Sequence, residues 1–321
     1  MYAGSVPVRK SSTARNCRTE RHLACLGSIG AVRGVFVLVV VALALGAATA
    51  HAASRDVQHV TLIGDSVADA IPATGNAATI VKQGVDLDFE VAACRRVEGE
   101  GCWVVGVRPP SVVQLAKSMG SKLGPNVVVS VGYNDFEDQY GQNIADALDA
   151  LKAAGVKHVW WLTLRAAHHG YVNMNDDIEA AAKQHPELSV IDWNVYSRSH
   201  ADWFQPDGLH LLEEGANAMA TLIHKTLLDD GVALKPVHVT TAALPTARRG
   251  KTYAAKLQAG AGLAPYRWSL LARAPLGIHL EADGRIIGKA RAKAGMYVLS
   301  VRVKDSAGSF DVRRLTLRIT L

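Results

Sequence analysis

The sequence contains few cysteines, 4 in 321 residues. Cys17 and Cys25 lie in an N-terminal stretch that we expect to be removed, which leaves Cys94 and Cys102, eight residues apart. A cysteine-based metal site would need two more soft ligands nearby, and the sequence places none there, so we expect no metal and no cofactor. In an exported protein, a cysteine pair that closes a short glycine-containing loop favours a Cys94–Cys102 disulfide, with two free thiols as the alternative.

Long apolar runs are also scarce, with one exception near the start. From Val35 to Ala50 the chain carries no charge, basic residues precede this run, and small residues follow it. This order of segments predicts a secretory signal peptide in residues 1–53 and a secreted or cell-envelope protein. The run of about 16 residues is shorter than the roughly 20 that span a bilayer. Cleavage is therefore favoured over an uncleaved anchor, and no stable membrane span is expected after it.

Acidic residues are rare in the last part of the chain. Residues 236–321 contain 4 acidic and 15 basic side chains, whereas residues 54–235 contain 24 acidic and 14 basic ones. Residues 54–321 are nearly neutral, because most of the net charge of +6 lies in residues 1–53. No nucleic-acid partner is therefore expected for the mature chain. We expect the basic region to bind an anionic cell-wall polymer. The alternatives are evenly solvated charge and docking on the acidic region.

The pattern of apolar residues divides the chain into two parts. Period-2 or continuous apolar runs alternate with helical spacing up to about residue 228, which predicts an α/β domain over residues 54–235 with a doubly wound, mostly parallel sheet. Short alternating segments separated by turns then predict an all-β sandwich domain over residues 236–321. The predicted strands of the first part are 57–63, 85–93, 126–135, 158–164 and 188–193, and its predicted helices are 111–119, 143–155, 176–185 and 212–228.

The first predicted strand ends in Gly64-Asp65-Ser66, a combination typical of turns and helix N-caps. Ser66 could instead be a nucleophile, which needs a base and a group that orients the base. Asp207 and His210 lie three residues apart just before the last predicted helix. At this spacing the carboxylate can reach the imidazole Nδ1, which leaves Nε2 free to accept the Ser66 proton. A turn acid and a capping histidine are the alternative.

The third predicted strand also opens into a polar loop, at Gly132 and Asn134. The Asn134 amide is suited to donate a hydrogen bond to a developing oxyanion, although Asn134 and Asp135 could simply cap the next helix. In a doubly wound sheet ligands bind at the carboxyl ends of the strands. The sequence therefore predicts that Ser66 and Asn134 lie at the same edge of the sheet.

Taken in order, these segments resemble the SGNH or GDSL-type esterases and lipases over residues 57–228. Gly64-Asp65-Ser66, Gly132-Tyr133-Asn134-Asp135 and Asp207-Gly208-Leu209-His210 match three of the family's sequence blocks. The resemblance implies a flavodoxin-like fold, Ser66 as nucleophile, His210 as general base, Asp207 as its support, and an oxyanion hole of Asn134 and backbone amides. The family's second block usually offers a glycine N–H. Here Cys94 and Arg95 stand in that place, and we expect one of their backbone N–H groups to donate instead.

These features predict an exported serine hydrolase that cleaves an acyl ester, in a small molecule or an acylated glycan, through an acyl-enzyme. An O-acyltransferase or deacetylase of cell-surface glycans would use the same residues. A non-catalytic wall-binding or adhesion protein is the alternative from a different class.

Other candidate residues are less specific. His168 and His169 follow the fourth predicted strand and could line the pocket or bind a metal, but their spacing matches no ligand pattern and favours a polar loop. Trp193, Trp203 and Phe204 could form the wall of an acyl or sugar pocket, or could pack in the core. Residues 243–321 resemble Ig-like modules of bacterial surface proteins, and such modules have no catalytic residues to transfer to this chain.

Overall fold

The first part of the chain folds around a five-stranded parallel sheet. Its strand order, β2-β1-β3-β4-β5, is that of flavodoxin-like doubly wound folds, as predicted. Every residue of β3 is buried, which explains its nearly continuous valine run, because a central parallel strand is covered on both faces. The strands are β1 (His59–Gly64), β2 (Asp86–Val91), β3 (Asn126–Ser130), β4 (His158–Leu162) and β5 (Leu188–Ile191).

Helices cover both faces of this sheet and form a separate hydrophobic core on each. Buried residues of α1, α2 and α7 pack on one face, and those of α3, α4 and α5 pack on the other. The predicted helices are all present, and α5 begins seven residues earlier than expected. The helices are α1 (Ala70–Ala73), α2 (Gly75–Val81), α3 (Val112–Met119), α4 (Tyr140–Ala153), α5 (His169–Gln184), α6 (Trp193–Ser197) and α7 (Glu213–Asp229), with 3₁₀ turns at Gly120–Leu123, Glu137–Gln139 and Ala201–Trp203.

From residue 238 onwards the chain is all β. A four-stranded sheet (β10-β13-β14-β7) and a three-stranded sheet (β11-β12-β8) contribute to a common hydrophobic core, and β6 pairs with β9. The Ig-like topology of this region stays a prediction. The strands are β6 (His238–Val239), β7 (Ala247–Arg248), β8 (Thr252–Lys256), β9 (Ala259–Gly260), β10 (Arg267–Leu270), β11 (Ile278–Leu280), β12 (Arg285–Lys289), β13 (Gly295–Lys304) and β14 (Phe310–Thr320).

The two parts contact each other at the connecting segment. The Lys235 N–H donates to the Gly84 carbonyl oxygen at 2.7 Å, and the Gly262 N–H donates to the Lys235 carbonyl oxygen at 2.9 Å. All described residues from 57 onwards belong to one compact unit. The boundary between residues 235 and 236 therefore stays a prediction from the sequence.

This computed structural model describes residues 57–166 and 169–321. The predicted signal peptide in residues 1–53 and His168 lie outside the described residues, as does the His169 side chain. Within the described ranges, no helix combines the length and apolar character needed to cross a membrane.

Candidate active site

Ser66 lies immediately beyond the carboxyl end of β1 and is half-buried. It does not cap a helix, because residues 66–69 form turns and α1 begins only at Ala70, with Asp69 at its N-cap. The helix-cap explanation for Ser66 is therefore wrong. For the same reason, an adduct on Ser66 would gain little from a helix dipole, since α1 has a single turn.

Asp65, which precedes Ser66, holds two strand ends together. Its fully buried carboxylate accepts hydrogen bonds from the backbone N–H groups of Val67 at 3.0 Å, Gly132 at 3.2 Å and Tyr133 at 3.3 Å. Burial raises the pKa of Asp65 to about 7, and the three N–H donors oppose this rise because they favour the charged form. Asp65 thereby joins the loop that carries Ser66 to the loop that carries Asn134.

The Asp207–His210 segment folds into a tight loop that presents the histidine to Ser66. One Asp207 carboxylate oxygen accepts the backbone N–H groups of Leu209 at 2.9 Å and His210 at 3.0 Å. The other lies 2.7 Å from His210 Nδ1, and His210 Nε2 lies 3.0 Å from Ser66 Oγ. The hydrogen bond to His210 and the two backbone donors lower the pKa of Asp207 to about 2. The three side chains thus form a continuous hydrogen-bonded chain from hydroxyl to carboxylate.

Arg165, which no sequence pattern singles out, supports this loop from beyond the end of β4. Its guanidinium donates to the Gly208 carbonyl oxygen at 2.6 Å and lies 3.7 Å from the centroid of the Phe204 ring. Its backbone N–H donates to the Tyr133 hydroxyl at 2.8 Å. Arg165 therefore connects the Asp207–His210 loop to the loop after β3. In the sequence, Arg165 follows a predicted strand closely, and this position could have indicated a residue at the edge of the sheet where the site was expected.

The loop after β2 brings Cys94 and Arg95 to the same edge of the sheet. Cys94 has φ +65°, a left-handed conformation that favours glycine. The N–H of Arg95 donates to the Ala92 carbonyl oxygen at 3.3 Å, so it is already engaged. The Cys94 N–H has no hydrogen-bond partner within residues 57–166 and 169–321. Of the two expected backbone donors, Cys94 is thus the one available.

The Arg95 side chain is structural, because it is buried and donates to the carbonyl oxygens of Gly64 at 3.1 Å and Pro110 at 2.6 Å. Burial lowers the pKa of its guanidinium. Asn134 donates from Nδ2 to the Arg95 carbonyl oxygen at 3.2 Å, which anchors its amide next to this loop. Asn134 caps no helix here, since Phe136 precedes the next helical turn.

Asp135 and a disulfide fix the shape of the loop after β2. Cys94 and Cys102 are joined in a disulfide. The Asp135 carboxylate accepts the Val97 N–H at 3.0 Å and an Asn143 amide N–H at 3.3 Å. Burial raises the pKa of Asp135 to about 6. The carboxylate is thus a structural acceptor for the loop rather than a helix cap.

Two of the remaining candidates, Trp193 and Phe204, pack in the core. Trp193 is fully buried and packs against Trp203 and Phe204, with ring centroids 6.1 and 6.0 Å apart. Core packing therefore accounts for Trp193 and for Phe204, which is also buried and stacks on Arg165. In the part of the chain that the structure describes, no group of three or more histidine, cysteine or acidic side chains could hold a metal ion.

Comparison with known proteins connects part of the chain to bacterial O-acetyltransferases. No protein-family model matches the chain. The "Putative peptidoglycan O-acetyltransferase YrhL" of Bacillus subtilis (strain 168) is 26% identical over 121 residues, which make up 37% of this chain and 18% of that protein. The "O-acetyltransferase OatA" of Staphylococcus aureus (strain NCTC 8325 / PS 47) is 30% identical over 108 residues, 33% of this chain and 17% of that protein. The chain thus spans less than a fifth of the length of these relatives.

Two solved structures are also similar. The C-terminal catalytic domain of Streptococcus pneumoniae peptidoglycan O-acetyltransferase A has a TM-score of 0.41 and 18% identity, covering 54% of this chain and 93% of that chain. A Clostridium thermocellum family 3 carbohydrate esterase has a TM-score of 0.42 and 14% identity, covering 54% of this chain and 96% of that chain.

Proposed function

We propose that this protein transfers an acyl group, through an acyl-enzyme on Ser66, to a hydroxyl of a cell-wall glycan. The observation that carries the proposal is the His210 ring, which lies 3.0 Å from the Ser66 hydroxyl on one side and 2.7 Å from the Asp207 carboxylate on the other. The similarity to proteins named as O-acetyltransferases supports transfer over simple ester cleavage, and one of those names specifies peptidoglycan. Hydrolysis is then the same reaction with water as the acceptor.

The residues divide the chemistry between them. Ser66 Oγ attacks the carbonyl carbon of the donor ester while its proton passes to His210 Nε2, and the leaving alcohol takes that proton as the C–O bond breaks. A glycan hydroxyl then attacks the acyl-enzyme and gives its proton to His210. The Ser66 hydroxyl re-forms with the same proton, so no net charge accumulates. Asp207 fixes the tautomer of His210 and stabilises its charged form.

The tetrahedral intermediates carry a negative oxygen, which needs hydrogen-bond donors. We assign this role to the Cys94 N–H and to the amide of Asn134. The left-handed backbone at Cys94 and the bond from Asn134 to the Arg95 carbonyl oxygen support this assignment. The Arg95 N–H takes no part, since Ala92 already accepts it.

A trapping experiment tests the reaction. Protein treated with p-nitrophenyl acetate and a soluble N-acetylglucosamine oligosaccharide is acid-quenched, and acetyl groups on protein and sugar are located by mass spectrometry. We expect acetyl on the Ser66 peptide and on the oligosaccharide. Ser66→Ala should show neither, whereas Ser118→Ala, which removes an exposed hydroxyl in α3, should show both. Acetyl on Ser66 with release only to water would favour an esterase, and absence of the Ser66 adduct would contradict the mechanism.

We further propose that the basic C-terminal region holds an anionic cell-wall polymer. Its outward sheet face carries cations on three neighbouring strands, and the alternate residues Leu299, Val301 and Val303 of β13 are buried. Arg267 and Lys304 are directly opposite each other, which is unfavourable for two like charges unless an anion lies between them. The cations of this face are Arg267, Arg302, Lys304, Arg314 and Arg318.

The acids of this region do not neutralise that face. Glu281 and Asp283 pair with Arg285, while Asp305 and Asp311 accept the backbone N–H groups of Leu263 and Val239. Across the described residues, no basic side chain of 236–321 forms an ion pair with an acid of 57–235. Docking of the basic region on the acidic one through ion pairs is therefore not observed. An external polyanion is the partner that fits the charge.

A further inference from the structure

Next to the loop that carries Cys94 lies a short hairpin with an unfavourable residue in its turn. Val104 and Val107 exchange two backbone hydrogen bonds, of 2.8 and 2.9 Å, across the two-residue turn Val105-Gly106. Both turn residues have positive φ, +46° and +78°, the geometry for which Asn-Gly or Gly-Gly is preferred. A β-branched valine is strained in this conformation.

The hairpin also exposes large apolar side chains to solvent. Val105 is 99% exposed, and Trp103 and Val107 are each 65% exposed. Folding gains nothing from leaving an indole and two valines in water, and an asparagine at position 105 would suit the turn better. Exposed apolar clusters on soluble proteins commonly mark binding surfaces. The exposed apolar side chains of the hairpin are therefore a candidate binding surface.

The position of the hairpin ties this surface to the candidate active site. The disulfide links Cys102, which directly precedes Trp103, to Cys94, the proposed oxyanion donor. No side chain fits at Gly101, because a Cβ there would overlap the Cys94 carbonyl oxygen. The base of the hairpin is thus packed against the backbone of the oxyanion loop. The hairpin is therefore anchored to the loop that carries the proposed oxyanion donor.

The side chains around Trp103 indicate which kind of molecule it is. The Arg108 guanidinium lies 4.9 Å from the centroid of the Trp103 ring and pairs with Glu100, which orients both groups. An aromatic face beside hydrogen-bonding groups suits a sugar, whose C–H face packs on the ring while its hydroxyls take the donors and acceptors at the ring edge. An anionic membrane fits less well, since residues 54–235 carry a net charge of −10.

We propose that Trp103, Val105 and Val107 form the contact surface for the sugar rings of the glycan acceptor, so that this hairpin selects a polymeric acceptor over water. The inference rests on the proposed function, because it assigns the acceptor side of that same site. The hairpin would determine which acceptor is used, and the catalytic residues would stay the same.

The test separates acceptor use from acyl chemistry. Trp103→Ala and Val105→Asn are compared with Leu276→Ala, which truncates an apolar residue that is 70% exposed in the all-β region. We expect both hairpin variants to raise the KM for a soluble N-acetylglucosamine oligosaccharide about tenfold. Hydrolysis of p-nitrophenyl acetate should stay within about twofold, because a small ester need not reach the hairpin. Val105→Asn should also raise the melting temperature, since it relieves the strained turn.

A binding measurement keeps the inference testable if catalysis is not seen. Calorimetric titration of the same oligosaccharide into Ser66→Ala protein should give binding that the added Trp103→Ala change weakens about tenfold. An unchanged KM and unchanged sugar binding in both hairpin variants would overturn the inference, while transfer of acetyl from Ser66 to the oligosaccharide would still uphold the proposed function. Binding of the hairpin to anionic vesicles with no binding to the sugar would overturn it as well. Failure of wild-type protein to hydrolyse any ester would contradict the proposed function instead.

Discussion

The two regions of this molecule use polar side chains in opposite ways. Of the buried polar side chains in the described residues, Asp305 is the only one in the all-β region, and the others lie in the α/β region. Asp65 and Asp135 illustrate the difference, since each places a buried carboxylate at a strand end and accepts backbone N–H groups from another loop. The all-β region instead carries five cations on one outer sheet face. Buried polar groups are unfavourable unless they are fully hydrogen-bonded. Among the described residues, the concentration of buried polar side chains in the α/β region is what distinguishes the candidate catalytic region from the candidate binding region.

The largest effect should come from removing the nucleophile. Ser66→Ala should lower kcat/KM for acyl transfer by about 10⁴-fold or more, and His210→Ala should act similarly. Asp207→Asn should be milder, at about 10²- to 10⁴-fold, because Ser66 and His210 remain. Each variant is assayed with a chromogenic acetyl ester, with circular dichroism to check folding. Wild-type turnover by Ser66→Ala would contradict the assignment of the site to the α/β region.

The buried carboxylates should make stability depend on pH. The pKa of Asp65 rises from 3.8 to about 7 on folding, so the folded protein binds the proton more tightly than the unfolded chain. Stability from this group is complete below pH ~4 and is lost as the pH rises to about 7, by a free energy on the order of 4 kcal/mol. Asp135, with a pKa raised to about 6, acts in the same direction.

Urea unfolding between about pH 4.5 and 7.5 measures this dependence. Asp65→Asn should lose a large part of the decline in unfolding free energy with rising pH, whereas Asp146→Asn, which changes an exposed acid, should retain it. Equal slopes in wild type and Asp65→Asn would show that Asp65 is not the buried acid that the geometry indicates.

Arg165 tests whether the position of the Asp207–His210 loop matters. Arg165→Gln should lower kcat about 10- to 100-fold with little change in KM, because a small displacement of His210 impairs proton transfer. Arg165→Lys should recover part of the loss, since lysine can donate to the Gly208 carbonyl oxygen but cannot stack a planar group on Phe204. Arg198→Gln, at an exposed position, is the control. A pure stability defect, with normal kcat in the folded fraction, would exclude a positioning role.

The smallest expected effect concerns the basic face of the all-β region. The full chain should bind long-chain polyphosphate, and the affinity should fall as salt rises from about 0.05 to 0.5 M because charges are screened. Arg314→Ser combined with Arg318→Ser should weaken binding by about threefold per cation, whereas Lys289→Ser with Arg291→Ser, away from that face, should have little effect. Binding that does not depend on salt, or no binding at low salt, would contradict the proposal that the basic face binds an anionic polymer.

Local sequence was sufficient for several of these features. The period of the apolar residues predicted the five parallel strands and the main helices, because helix and strand spacing depends on near neighbours. Asp207 and His210 could be paired for the same reason, since they lie three residues apart. The short helices α1, α2 and α6 were missed, because four to seven residues give too little periodicity.

The sequence by itself determined the element types, the charge contrast and the Asp207–His210 pair. Tertiary structure alone decided that His210 lies within 3.0 Å of Ser66, 144 residues away along the chain, and that Arg165 braces its loop. It also decided that the Arg95 N–H is engaged while Cys94 adopts the left-handed backbone. Local propensities depend on neighbouring residues, whereas distances between separate loops depend on how the strand ends of one packed sheet are brought together.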